Sequence, residues 1–416
     1  MSASVTRAAR RMLLVLAAVL AAAAAVSACS SSSSGSGDTT GKLADSSGAS
    51  AAVRQTVELA STKLLYGPTT GPVKQSQLRA PTASDIKAFA YKPGGGSKKI
   101  AIVSCSAISP QCVHTANLIS AYLSKIEISS QIFNADYTPA GNQAAVDAAL
   151  AQRPDAIILL AVAPSTIGPE IARAKTAGIP IIDGIGTAET DGGNLDAYVP
   201  QGSNLYQVAT AAQLAVAGNG KTHVHWLTAP AYPELEVSAG TSYLKAECPG
   251  CVLTQGTETA AQVTNPVQMG QLVTSIMRSH PQTAYLTLAS ACADLQSGSA
   301  ALRQLQLGML AAGGCGASAV AAMNAGNLAF ATGSVEPWTA LADIDQALRL
   351  MSGQPALPVT QVGPGAYLVT PQSTPDHTTT GNYGALDRWA VGLFDFVAPY
   401  SKAWGVDLGS VIAEEK

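Results

Sequence analysis

Two spacings in this chain are suited to chemistry. Cys248-Pro249-Gly250-Cys251 is a CxxC pair. Such a pair works as a redox couple where it opens a helix, because the positive helix end lowers the thiol pKa. Here the helical stretch Ser238–Ala246 precedes the motif and the strand-like Val252–Thr254 follows it, and Pro-Gly is turn chemistry. The motif reads as a structural disulfide across a turn, with redox and metal roles as alternatives. His223 and His225 lie two apart on an expected strand and so share a face, yet no third ligand is spaced to complete a metal site. The chain has five histidines and no nucleophile elbow, phosphate-binding loop, zinc-protease helix or dinucleotide fingerprint in a plausible context. No catalysis, cofactor or metal is expected. What remains are scattered hydroxyls, a few carboxylates and sparse aromatic rings. That set suits a neutral or weakly polar solute, since hydroxyls and carboxylates orient hydroxylated ligands and an aromatic face stacks on a sugar ring.

These residues must be held by an alternation of strands and helices. Short apolar runs at Ile100–Ser104, Gln131–Asn134, Ala156–Val162 and Ile179–Asp183 alternate with helical stretches at Val113–Lys125, Asn142–Gln152 and Pro169–Ala177. A second set has strands at His223–Leu227, Val252–Thr254, Ala284–Leu288, Leu328–Thr332 and Ala366–Val369. Its helices are expected at Leu205–Ala217, Glu234–Ala246, Pro266–Ser279, Gly298–Leu310, Thr339–Met351 and Asn382–Trp404. Repeated βα units specify an α/β fold with parallel, doubly wound sheets and right-handed crossovers. The units cover more chain than one domain of ordinary size holds, so two lobes are the economical solution.

With 416 residues, 47% hydrophobic and 12% charged, the chain can bury two sizeable cores. A net charge of −3 and the lack of a basic stripe argue against nucleic acid as a partner. At the N-terminus, Arg7, Arg10 and Arg11 lead into the apolar run Met12–Val26, which ends in Val26-Ser27-Ala28-Cys29. These are the parts of a secretory signal over residues 1–28, and the run is short for a membrane span. The cysteine after small residues resembles the lipobox of bacterial lipoproteins, which implies lipidation at Cys29; an ordinary signal peptide with a chance cysteine is the alternative. Residues 29–97 are expected to be a tether and linker carrying one short helix, Ala51–Leu65, with Ser30–Ser34 and the punctuation Gly67-Pro68, Gly71-Pro72, Pro81 and Pro93-Gly94. Besides Cys29 the chain has six cysteines, an even set that reads as disulfides in an oxidising compartment. Their order suggests Cys105 with Cys112, Cys248 with Cys251 and Cys292 with Cys315.

The order of elements resembles a known family. Pro154-Asp155-Ala156-Ile157-Ile158-Leu159 resembles the third strand and its approach in the type I periplasmic binding proteins, and Ala177-Gly178-Ile179-Pro180-Ile181-Ile182 resembles the segment leading into their fourth. Asn327–Thr332, with Met351-Ser352-Gly353-Gln354-Pro355, resembles their late strand, helix and GxP turn. The style is closest to ribose-type solute-binding lipoproteins of ABC importers. The resemblance implies two lobes joined by three crossovers near 200–205, 332–338 and 360–366. The N-terminal lobe would be 98–203 plus 337–363 and the C-terminal lobe 204–336 plus 364–416. The family's charged ligand forks do not carry over: Ile185-Gly186, Val237, Ala289-Ser290 and Val335 stand at their positions.

In open α/β sheets ligands sit beyond the carboxyl ends of the strands. That geometry selects Ser106, Ser109, Ser165, Thr166 and Thr187 on the first lobe and Tyr232, Glu234, Ser290 and Asp294 on the second, with Glu336 and Trp338 at a crossover. Several have a plainer use. Ser165 and Thr166 can cap the following helix, Trp338 can pack in a core, and Asp294 can be a solvated cap. The resulting expectation is an exported monomer, lipid-anchored on the outer face of the cytoplasmic membrane. It captures a small, sugar-like solute by hinge closure and delivers it to an ABC permease and its ATPase. A sensor lipoprotein serving a membrane receptor, or a structural envelope lipoprotein with a degenerate cleft, is the alternative.

Overall fold

Runs of Ile, Val and Ala that no polar residue interrupts can be buried on both faces, and these become the central strands. The computed structural model describes residues 48–93, 97–185, 194–228, 238–259, 262, 265–287, 300–302, 309–314, 316–373 and 382–414. A five-stranded parallel sheet is built from β1 (Lys99–Ser104), β2 (Ser129–Asn134), β3 (Ala156–Leu160), β4 (Ile181–Gly184) and β5 (Ala197–Val199), in the order β2-β1-β3-β4-β5. A six-stranded sheet holds β6 (His223–Thr228), β7 (Val252–Thr257), β8 (Tyr285–Thr287), β9 (Met309–Gly313), β10 (Leu328–Ser334) and β11 (Ala366–Val369), in the order β11-β10-β9-β8-β6-β7. Its pairs are parallel except that β11 runs antiparallel to β10 at the edge. Both sheets place β1 or β6 inside and continue outward on both sides, which is the doubly wound pattern.

The helices are α1 (Ala51–Thr62), α2 (Pro110–Lys125), α3 (Pro139–Ala151), α4 (Gly168–Ala177), α5 (Ser203–Ala217), α6 (Ser238–Glu247), α7 (Pro266–Ser279), α8 (Gly316–Asn324), α9 (Glu336–Met351), α10 (Tyr383–Leu393), α11 (Val397–Trp404) and α12 (Gly409–Glu414). Proline at the first turn opens α2, α3, α4, α7 and α9, where its missing N–H costs nothing. Asn265 and Asn382 cap α7 and α10 with their side chains. The chain passes between the sheets three times: from β5 to α5 at 200–202, from β10 to α9 at Val335, and from α9 to β11 through 352–365.

The span 29–97, expected as tether and linker, differs from that expectation over residues 48–93. These residues belong to the same compact unit as both sheets. α1 buries Val53, Thr56 and Ala60 against α5 and β11, and Leu64, Leu65, Leu78 and Ile86 are buried beyond it. An apolar face at helical spacing needs a partner, and the second sheet's outer helix and edge strand supply it. Leu65 and Ala366 exchange backbone hydrogen bonds, so residue 65 extends the sheet past β11.

The C-terminal end also differs. Asn382–Trp404 is two helices, because Phe394 is extended and Asp395 Oδ1 accepts the N–H groups of Val397 and Ala398 to start α11. The span 364–416 was expected on one lobe, yet α10 packs on α8 while α11 packs on α9 and α12 on α2. Met309–Gly313 is a strand where a helix from Gly298 was expected to run through Leu310, and residues 303–308 lie outside the described residues. β5 was not expected at all.

Candidate functional site

The carboxyl ends of both sheets turn toward the crossovers, and the loop after β1 is fastened there by covalent and polar contacts. The Cys105–Cys112 disulfide joins that loop to the first turn of α2, with Cα atoms 6.0 Å apart. Ser106 is buried, pairs with Asp136 as an isolated bridge, and its Oγ accepts the Ile108 N–H at 3.2 Å. Ser109 is half-buried at the N-cap of α2 and makes no side-chain cap bond. Ile108 between them is 88% exposed. After β3, Ser165 is exposed, while Thr166 Oγ1 donates to Ala163 O at 2.7 Å and accepts Asn142 Nδ2 at 3.0 Å. Thr166 thus ties a 3-10 turn to α3. Thr187, Tyr232, Glu234, Ser290 and Asp294 lie outside the described residues, as do Cys29, Cys292 and Cys315.

Glu336 and Trp338 open α9 at the second crossover, and both are buried. The Trp338 ring stacks on Tyr66 at 5.8 Å and on Phe396 at 5.5 Å, nearly parallel to both. The two ring neighbours come from opposite ends of the chain, and with 2% of its surface exposed Trp338 packs among aromatic rings at the second crossover. Glu336 Oε1 accepts Gln111 Nε2 from α2 at 3.2 Å, and Oε2 has no hydrogen-bond partner. Burial pushes this carboxyl up to about 7. The neighbouring Asp387 adds to the rise, and His114 and Gln111 oppose it.

Around Glu336 the fold gathers side chains that the sequence pattern did not single out. His114 Nε2 on α2 lies 2.8 Å from Asp387 Oδ2 on α10, both buried. The His114 ring lies 4.3 Å from that of Tyr383. Gly316, at the start of α8 with φ +49°, admits this cluster; a Cβ there would stand 2.7 Å from Tyr383 and 3.2 Å from Glu336 Oε1. The residues come from α2, α8, α9 and α10, so their sequence separation hid them.

The two spacings that first suggested chemistry have structural roles. Cys248 and Cys251 form a disulfide after α6 and before β7. His225 is buried, bonds Thr254 Oγ1 through Nδ1 at 2.8 Å and lies against His280; burial, then the His280 charge, lowers it to about 4. Among the described residues no group of His, Cys, Asp or Glu could hold a metal ion, and no helix is long and apolar enough to cross a membrane.

Residues 100–355 match the family model described as a periplasmic binding protein domain. The chain belongs to that family. Solved structures of the same fold cover nearly their whole length on this chain. One is an ABC transporter solute-binding protein from Agrobacterium vitis bound with alpha-D-tagatopyranose, at 18% identity and TM-score 0.57 over 67% of this chain and 97% of that one. Another is a periplasmic ribose ABC transporter protein from Conexibacter woesei, at 20% identity and TM-score 0.58 over 71% and 100%. A third, from Actinobacillus succinogenes with bound D-allose, matches at 17% identity and TM-score 0.57 over 67% and 99%. No curated protein sequence matches. In this periplasmic binding protein, then, the two-lobed core is shared, and about a third of the chain lies outside what those structures span.

Proposed function

We propose that the protein is an extracytoplasmic, lipid-anchored solute-binding protein that captures a small hydroxylated solute between its lobes and delivers it to an ABC permease. The observation that carries this reading is the pair of sheets, parallel but for one edge strand, joined by three crossings in a chain of the periplasmic binding family. The solved structures of this fold with bound tagatose and allose support a sugar-like solute. Ser109 and Ser165, near the strand ends, are the N-terminal-lobe hydroxyls proposed to contact it, together with Thr187, Tyr232, Glu234, Ser290 and Asp294. The signal-like segment before Cys29 supports export and anchoring there. No catalytic step is proposed.

The test is a thermal-shift screen of the chain from Cys29 onward against sugars, polyols, nucleosides, amino acids and aromatic acids. A ligand at one hundred times its dissociation constant adds about 2.7 kcal/mol, a shift such a screen reads easily. A dose-dependent shift confined to sugars or polyols supports the proposal. A shift with another class moves the solute and keeps the binding role, and a flat screen of folded protein overturns it.

A further inference from the structure

The segments outside the family's matched residues grip all three crossovers between the lobes. Residues 51–66 are anchored on the C-terminal lobe, through α1 on α5 and through the Leu65–Ala366 pair. Residues 87–91 are anchored on the N-terminal lobe and its C-terminal helices: Phe89 N–H donates to Asp345 on α9, Tyr91 N–H to Ala403 O, and Trp404 Nε1 to Phe89 O. Between these anchors the chain runs over the crossovers. Asn204 Nδ2, just past the first, donates to Gly71 O at 2.9 Å. Thr69 Oγ1 donates to Val359 O at 3.3 Å in the third, and Lys87 Nζ donates to Gln361 Oε1 at 2.6 Å. The second crossover is held through Trp338, between Tyr66 and Phe396. From the other end of the chain, α10 packs on α8 of the C-terminal lobe while its Asp387 bonds His114 of the N-terminal lobe.

We propose that these two flanking segments are a double strap that limits how far the lobes open, so that solute exchange requires the strap to release. This inference rests on the proposed solute-binding role for its purpose, not for its geometry. A hinge opens by changing a few backbone angles at the crossovers. Here each crossover carries side chains packed against a segment fixed to both lobes, and opening must separate the Tyr66–Trp338–Phe396 stack or the buried His114–Asp387 contact. Interfaces of this kind are bistable rather than gradually deformable.

The experiment needs no solute, so its failure is separate from failure of the binding role. Hydrogen exchange and small-angle scattering are compared for the wild-type chain and for Tyr66→Leu, Phe396→Leu and Asp387→Asn, with circular dichroism as the check on folding. The strap predicts that the amides of Leu65, Phe89, Tyr91, Ala366 and Thr339, the last bonded to Val335 O across the second crossover, exchange slowly and together in the wild type. Any folded variant should speed all of them by roughly tenfold or more and enlarge the radius of gyration, with β1 and β6 unchanged. Should Asp387→Asn fail to fold, the two aromatic variants carry the same readout. Acceleration confined to the substituted segment, a wild type whose crossover amides already exchange as fast as its variants', or failure of all three variants to fold would overturn the strap.

Discussion

His114 Nε2 and Asp387 Oδ2 meet at 2.8 Å although 273 residues separate them, and both side chains are buried. Their helices belong to different parts of the fold: α2 follows the first strand of one lobe, and α10 rests on α8 of the other. A buried pair contributes little net stability over an apolar substitute, but losing one partner is expensive because the other is left in a medium that solvates it poorly. Asp387→Ala and His114→Ala should therefore each destabilise the protein by about 3 kcal/mol. The double variant should cost clearly less than the sum. Chemical denaturation of the four proteins measures the coupling, and additive losses would contradict a direct pair.

Glu336 should make stability depend on pH. Its folded carboxyl is raised to about 7 from 4.5, mainly by burial, so the folded state holds this proton where the unfolded chain has released it. The contribution is fully present below about 4.5 and is lost as pH rises to about 7. At roughly 1.4 kcal/mol per pH unit, the loss is about 3 kcal/mol. Glu336→Gln keeps the shape and the contact with Gln111 without the charge, and should flatten this part of the profile. Denaturation at pH 5 and pH 7.5 is the measurement, and an unchanged slope in the variant would place the titration elsewhere.

Trp338 sits between two rings with a third, Phe394, at 5.5 Å. Truncating such a residue removes its transfer free energy and leaves a cavity, so Trp338→Ala should cost about 4 kcal/mol. Trp338→Phe keeps one stacking ring and should lose less than half of that. A solute-contacting tryptophan behaves differently: its loss would weaken binding with little change in the denaturation midpoint of the free protein.

The core strands were legible because unbroken runs such as Ile100–Ser104 and Ala156–Leu160 fit little else than a strand covered on both faces. The helix from Pro266 to Ser279 was legible to the residue, its end marked by His280-Pro281; its Asn265 cap is a finding of the structure. Met309–Gly313 was not, since Met, Leu and Ala favour a helix and only pairing with β8 and β10 makes the run a strand. Ala197–Val199 has three residues, too few for any periodicity. The prolines and glycines between 67 and 93 looked like a linker. Such residues also shape an ordered segment with few regular hydrogen bonds, and the buried Leu64, Leu65, Leu78 and Ile86 were the signal to weigh against them. At the hinge, Glu336 and Trp338 were visible as crossover residues, but His114, Tyr383 and Asp387 gather around Glu336 only through tertiary packing.

The Cys105–Cys112 disulfide closes a short loop, and its removal should test both stability and the site. In the chain-entropy picture a loop of this size is worth about 2–3 kcal/mol. Replacing both cysteines with serine should lower stability by at least that amount, because both residues are buried and the two serine hydroxyls add a desolvation cost to the lost cross-link. The loop also carries Ser106 and Ser109, and the bridge holds it against α2 at the carboxyl end of β1. Loosening it raises the entropy lost on ordering a ligand contact. With the solute found by thermal shift, the double serine variant should bind severalfold more weakly by calorimetry. The corresponding replacement at Cys248 and Cys251, on a turn between α6 and β7, should lower stability and leave affinity unchanged. Equal losses of affinity in both variants would mean that the bridges act through global stability, and that the loop after β1 is not a contact surface.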